Sequence, residues 1–343
     1  MGKASVSIGS FALAAAVSAF VCVIPCAAQE APAITEVKTL LDSLPSGWKA
    51  SYGAIDHRAD SDTLTIKDLK LTAPGSIPLQ IAIGMLETDR LDTKVLSSVI
   101  RREVINASAL LAGEIRAEGV SAERAKDFSA SVKQLTVTDV TMSSADTVEK
   151  ALIAFKGGVY QPLADDAGTL YSDMGYDAPP LFDGGGSYGY GLKDGRIKLD
   201  DAWLEADKVG RFDLALDVIG HFPDYAAPDK SGKLSLLHLR YMDNSLVERI
   251  FTYLAKQDGK KPDAVRQESV AILAMTRLSL GTKSKKAADV LEKAIAFLRE
   301  PESFDLSLRP KEPVSLDALG GEGLPDDPDK IIDMLGLKLK VNE

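Results

Sequence analysis

Residues 181–201 read LFDGGGSYGYGLKDGRIKLDD, and two enzyme signatures overlap inside that stretch. Gly184, Gly186 and Gly189 fit G-x-G-x-x-G, a loop whose glycines let the backbone approach a dinucleotide pyrophosphate. Gly185, Ser187 and Gly189 fit G-x-S-x-G, the elbow that presents a serine nucleophile in hydrolases. Both chemistries need a strand before the motif and a helix directly after it. Here YGYGLKDGRIKL alternates and then reaches Asp194-Gly195, a pair suited to a tight hairpin because both residues tolerate positive φ. The stretch therefore reads as a glycine-bearing strand entering a hairpin. Gly189 and Gly191 fall on one face of that strand, where they permit close approach by another segment or by an apolar ligand. A hydrolase acting through Ser187 stays as the weakest functional alternative.

Other chemistry is sparse. His57, His221 and His238 stand far apart, without a partner at ligand spacing, and no metal or cofactor is expected. One acidic cluster, Asp200, Asp201, Glu205 and Asp207, lies beside a strand turn, where a solvated face accounts for it. A second, Asp326, Asp327 and Asp329 around Pro328, suits a helix start. Neither follows the spacing of a calcium loop. No catalytic residue is assigned.

The elements that must position any site alternate for most of the chain. Helical spacing predicts a helix over 33–44, ended by Pro45-Ser46-Gly47. Leu64, Ile66 and, after a break, Leu69 and Leu71 mark a strand, and 79–86, 115–120 and 128–142 continue the style. A helix is read over 96–111 and a shorter one over 145–156. Residues 161–186 read as turn-rich surface chain. Strands follow over 187–192, 197–201, about Trp203, from Arg211 to Phe222 and over 233–241. DTLTIKDLKLTA, SASVKQLTVTDVTM, GRIKLDDAWLEADK and GKLSLLHLRYMDNS share this pattern as a loose repeat without a fixed period.

At Asn244 the pattern changes. Ser245 and Glu248 form a capping-box signature ahead of Val247, Ile250, Phe251 and Leu254. Further helices are read over 263–280 and 284–299, and another between Pro328 and Gly336. SFDLSLRP (303–310) and LKLKV (337–341) read as closing strands. The expected fold is α+β: a meandering, largely antiparallel curved β-sheet with a C-terminal helical segment packed on it. Its expected divisions are residues 1–28, a β-rich domain at 29–243, and a helical segment with closing strands at 244–343, docked on the same sheet.

The first of these reads as a cleaved signal peptide, with Lys3, an apolar run from Phe11 to Ile24 and small residues before a cut after Ala28. An uncleaved anchor is the alternative. Cys22 and Cys26 both lie in that segment, so the mature chain would be free of cysteine and of disulfides. Removing Lys3 takes the formal charge from −10 to −11. No later run is apolar enough to span a bilayer, and the expected location is the periplasm. The acidic balance, with no basic stripe, argues against nucleic-acid binding.

The segment GRIKLDDAWLEADKVGRFDLALDVIG (195–220) resembles the strand units of AsmA-like and related envelope proteins. The likeness, one of style, covers residues 60–240, and the helices after 244 depart from it. It implies a groove built of repeated strands and a role in lipid transport or outer-membrane homeostasis. The whole chain, closing on SFDLSLRP, also resembles uncharacterised exported proteins of alphaproteobacteria. The expected function is a non-enzymatic periplasmic protein that holds a lipid or other apolar ligand in a β-rich groove and supports envelope homeostasis. Candidate groove residues are Gly189, Gly191, Val247, Ile250, Phe251 and Leu254. The alternative is a structural or interaction factor whose partner is an envelope protein.

Overall fold

The break between Ile66 and Leu69 has a backbone cause. Asp68 takes a left-handed φ of 53°, which returns Leu69 to the buried face already used by Leu64 and Ile66. Neighbouring strands break phase at the same level, and this shared break organises the N-terminal half of the protein.

The computed structural model describes residues 32–42, 44, 47–58, 60–75, 77–92, 94–96, 98, 109–125, 127–144, 147–163, 169–191, 193–220, 232–319 and 324–343. The expected signal peptide, its cleavage site, Cys22, Cys26 and His221 lie outside the described residues. Among the described residues, fourteen strands form a large open antiparallel sheet with helices toward the C-terminus, so the fold is α+β. By its contacts the chain divides into two compact units: Met1–Gly168 with Leu181–Asp183, and Thr169–Pro180 with Gly184–Glu343. This division falls within the β-rich segment, well before residue 244.

The first unit holds helix α1 (Pro32–Asp42) and strands β1 (Lys49–Ser51), β2 (Ala54–Arg58), β3 (Thr63–Thr72) and β4 (Leu79–Asp89). The long strands β5 (Ala109–Arg124), β6 (Phe128–Ser144) and β7 (Thr147–Pro162) follow. The strands pair in the order β1-β3-β4-β5-β6-β7, with β2 also on β3. Their apolar face is closed: Leu64, Ile66, Leu69, Ile81, Val120 and Val137 are buried together with Val37 and Leu40 of α1.

The phase break crosses this sheet as a row. Register pairs Lys67 with Met85 and Leu69 with Ile83, then Met85 with Glu118 and Ile83 with Val120. It continues with Glu118 on Gln134 and Val120 on Val132, and with Gln134 on Lys156. Asp68, Gly84, Gly119, Lys133 and Gly157 therefore face one another on successive strands. Alternate members are left-handed: Asp68 at 53°, Gly119 at 61° and Gly157 at 63°. Asp and Gly reach that region most readily, which is why these residue types recur there. Irregularities of this kind bend a strand and increase its twist. A Cβ added at Gly119 would come no closer than 3.8 Å to its neighbours, so substitution there tests backbone strain alone. Gly119→Val is expected to lower stability by about 1–2 kcal/mol and Gly119→Asn by less, read from urea unfolding.

The shorter helix expected from sequence, over 145–156, is a strand where it is described. Residues 147–162 form β7, where Ala151, Ile153 and Phe155 alternate onto the core. Gly157-Gly158 disfavours a helix there, and β6 supplies a partner along most of its length. Of the stretch read as helical over 96–111, Leu96 and Ser98 are helical, whereas 109–111 open β5. Their β-branched neighbours Val104 and Ile105 lie outside the described residues.

The second unit contains α2 (Leu170–Asp173), β8 (Phe182–Gly191) from Gly184 onward, β9 (Arg196–Ala206), β10 (Gly210–Ile219) and β11 (Lys233–Asp243). The helices α3 (Leu246–Asp258), α4 (Pro262–Gly281) and α5 (Lys285–Arg299) come next. Strands β12 (Ser303–Leu308) and β13 (Val314–Ser315), helices α6 (Leu316–Leu319) and α7 (Pro328–Leu335), and β14 (Lys338–Val341) complete it. The strands run in the order β8-β9-β10-β11-β12-β14, with β13 on β11. As the residue types require, Asp327 caps α7 by accepting from the Asp329 amide at 3.0 Å, and left-handed Gly336 ends the helix. Strand β8 begins at Phe182, inside the stretch read as turn-rich, because extended glycines can pair as well as turn.

Candidate functional site

Strands β9 to β12 and β14 set apolar residues opposite one another in three rows. Leu204, Phe212, Tyr241, Phe304 and Val341 form the first. Ala202, Leu214, Leu239, Leu306 and Leu339 form the second, and Leu199, Leu216, Leu237 and Leu308 the third. Directly opposed residues share a face, as do alternate residues along a strand. On β9 that alternation survives only because Asp201, at φ 50°, sits in an irregularity of the pairing between Ala202 and Leu199.

Of the residues in these rows, only Tyr241 is fully buried. In the first, Tyr241 is buried among Val247, Phe251, Ala255 and Val265, with Phe212, Phe297 and Phe304 against it. Every residue of the second and third rows is only half-buried. The first unit closes its apolar face, whereas this one leaves leucines partly open to solvent. These rows contain no charged side chain, so they offer an aliphatic ligand a surface without orienting polar groups. Burial there is worth about 0.8 kcal/mol per methylene.

Tyr241 fastens the helices over the first row. Its ring stacks on Phe212 with centroids 4.3 Å apart and meets Phe304 at 5.6 Å. Its hydroxyl lies 3.1 Å from the Val209 carbonyl and hydrogen-bonds Asp243, whose Oδ1 also accepts from the Val247 amide at 3.1 Å. Burial, and then Asp243, push the phenol well above its ordinary range, so it stays protonated and acts as a donor. The capping box expected of Ser245 and Glu248 does not form. The Ser245 hydroxyl donates to the Lys208 carbonyl and accepts from Arg249 Nε, leaving the α3 amide to Asp243. Arg249 also lies 4.0 Å over the Tyr176 ring, which ties the chain after α2 to α3.

The opposite face is polar. Arg196 grips the buried Asp217 carboxylate with two donors, and Arg211 lies 4.9 Å over the Trp203 ring while bonding Asp213 and Glu205. His238 Nε2 stands 3.0 Å from Asp305 Oδ2, with both side chains about one-third exposed. Among the described residues, no three His, Cys, Asp or Glu side chains are grouped to hold a metal ion.

The glycine motifs resolve as strand and hairpin. Gly195 turns at φ 58°, and Asp194 contributes its side chain instead of a left-handed φ, accepting from the Arg196 amide at 3.2 Å. Ser187 Oγ donates to the Asp200 carbonyl at 3.1 Å. A Cβ at Gly189 would lie 3.9 Å from Lys198 Cβ, and one at Gly191 3.6 Å from Arg196 Cβ. Both glycines therefore share the polar face with Asp217, away from the leucine rows.

The helical candidates divide. Val247 and Phe251 belong to the core around Tyr241, while Ile250 and Leu254 are each 40% exposed. The structure thus gathers Val247 and Phe251 over the first row and keeps Gly189 and Gly191 on the other face. Leu214, Leu216, Leu237, Leu239, Leu306 and Leu308 are the residues that sequence reasoning missed as site residues. Their alternation was visible, but the register that stacks them was not.

A family model matches residues 203–342, which contain most of these rows and all three long C-terminal helices. The matching family is described only as an uncharacterized protein. No curated protein matches the chain.

Proposed function

We propose that this is a non-enzymatic protein of the periplasm that binds a lipid or another apolar ligand along the half-buried leucine rows of β9–β12 and β14, in support of the cell envelope. The observation that carries the reading is the contrast between a closed apolar face in the first unit and a partly open one in the second. The N-terminal run from Phe11 to Ile24, with small residues after it, supports export. Among the described residues, no helix is long and apolar enough to cross a membrane.

Native mass spectrometry of the purified protein, before and after solvent extraction, is expected to reveal co-purifying lipid that extraction removes. The emptied protein is expected to take up a fluorescent fatty acid. Leu239→Gln places an amide at the centre of the second row, and an unpaired amide against an alkyl chain costs about 1–3 kcal/mol, or roughly 5- to 150-fold in affinity. A protein with no co-purifying lipid and no uptake would overturn the reading.

A further inference from the structure

Helices α4 and α5 differ in what they turn outward. The exposed positions of α5 include Lys285, Lys286, Asp289, Glu292, Lys293 and Arg299, an ordinary solvated face. On α4 the exposed positions include Ile272, Met275 and Leu278, at 63%, 70% and 71% exposure. Their spacing of three sets them along one side of the helix. Large aliphatic side chains this exposed, and this close together, mark a contact surface.

The charge around the stripe indicates the partner. From Ser269 to Ala288 the chain has no acidic residue but carries Arg277, Lys283, Lys285 and Lys286, although the whole chain holds 50 acidic residues against 40 basic. Arg277 is engaged by Glu292 at 3.0 Å, and Lys286 by Asp333. Among the described residues, Lys283 and Lys285 join no ion pair, and both are exposed at the turn from α4 to α5.

We propose that the outward side of α4 and the turn that follows dock on an anionic lipid bilayer. Ile272, Met275 and Leu278 enter the boundary between headgroups and acyl chains, and Lys283 and Lys285 meet the lipid phosphates. An apolar helix side bordered by lysines is the arrangement that binds in the plane of such a surface. A second copy of the chain fits less well. The stripe is three residues long and one wide, far from the roughly 800 Å² per partner of a stable dimer. A single acyl ligand fits poorly too, because a convex helix side gives it no walls.

None of these residues belongs to the leucine rows, so Leu239→Gln is expected to bind vesicles like the wild type. The test is hydrogen exchange of the full chain with vesicles of equal parts phosphatidylglycerol and phosphatidylcholine. Exchange over residues 271–283 is expected to slow several-fold, less so at high salt and little with phosphatidylcholine alone. The triple variant Ile272→Ser, Met275→Ser, Leu278→Ser and the double variant Lys283→Gln, Lys285→Gln are both expected to lose that protection. Both sets of positions are exposed, so the fold should survive, as circular dichroism would verify. Protection that is absent, or that persists in the triple variant, overturns the proposal. So does a wild-type dimer in sedimentation velocity that the triple variant converts to monomer, which would assign the stripe to a second copy.

Discussion

Tyr241→Ala is expected to destabilise the C-terminal unit by about 3–5 kcal/mol, the range for removing a large aromatic side chain from a packed core. The ring is 2% exposed and touches Phe212, Phe304 and Phe297, so alanine would leave a void bounded by three aromatic rings. It would also strip the hydroxyl from Asp243, the residue that accepts from the Val247 amide in the first turn of α3. Both losses loosen the same helices from the same row of the sheet. Tyr241→Phe separates them: it keeps the ring and removes only a hydrogen bond, at a cost of about 1–2 kcal/mol. Urea unfolding followed by near-ultraviolet circular dichroism would read both. The phenol is raised in the folded state, so its contribution is fully present below about pH 10, where an ordinary tyrosine begins to ionise, and declines as pH rises above that. Tyr241→Phe is expected to flatten that alkaline slope. An alanine variant as stable as wild type would mean that the helices are held by something else.

Arg196→Met is the second large effect, and it acts on the other face. The Asp217 side chain is 8% exposed and receives two donors from Arg196, whose own side chain is 43% exposed. Removing the arginine leaves a buried carboxylate without its cation. For fully buried pairs that costs about 3–5 kcal/mol, and the partial exposure of Arg196 lowers the expectation to about 2–3 kcal/mol. The double replacement Arg196→Met, Asp217→Leu removes the stranded charge and is expected to recover most of the loss. A double-mutant cycle measured by urea unfolding gives the coupling directly. Additive single effects would show that the pair contributes nothing beyond its separate contacts.

Much of this fold was legible before the structure. Period-two aliphatics marked β3, β4, β6, β9, β10 and β11, and helical spacing marked α3, α4 and α5. Asp327, Pro328 and Gly336 bounded α7 by their chemistry. The Asp194-Gly195 hairpin also removed both glycine motifs, since each needs a helix where this chain turns back into β9. The errors have physical causes. Residues 147–162 mix residue types of both propensities, and long pairing with β6 decides for strand. Ser245 bears the sequence mark of a cap, yet its hydroxyl is taken by the Lys208 carbonyl outside the helix and by the Arg249 side chain within it, and Asp243 takes its place.

By itself, the sequence determined which residues alternate, about where the C-terminal helices begin and end, and that the chain belongs to the α+β class. Those properties rest on the spacing of side chains along the backbone, and spacing is local. Tertiary structure alone decided which alternating residues meet. Placing Leu216 beside Leu237 and Leu308, or Asp68 level with Gly119 and Gly157, is a matter of register between strands far apart in sequence, and a one-residue slip would send each side chain to the opposite face. Gly189 and Gly191 show the consequence. Their freedom to admit a close neighbour was evident in the sequence, but the neighbours turned out to be Lys198 at Gly189, and Asp194 and Arg196 at Gly191, rather than the leucine rows.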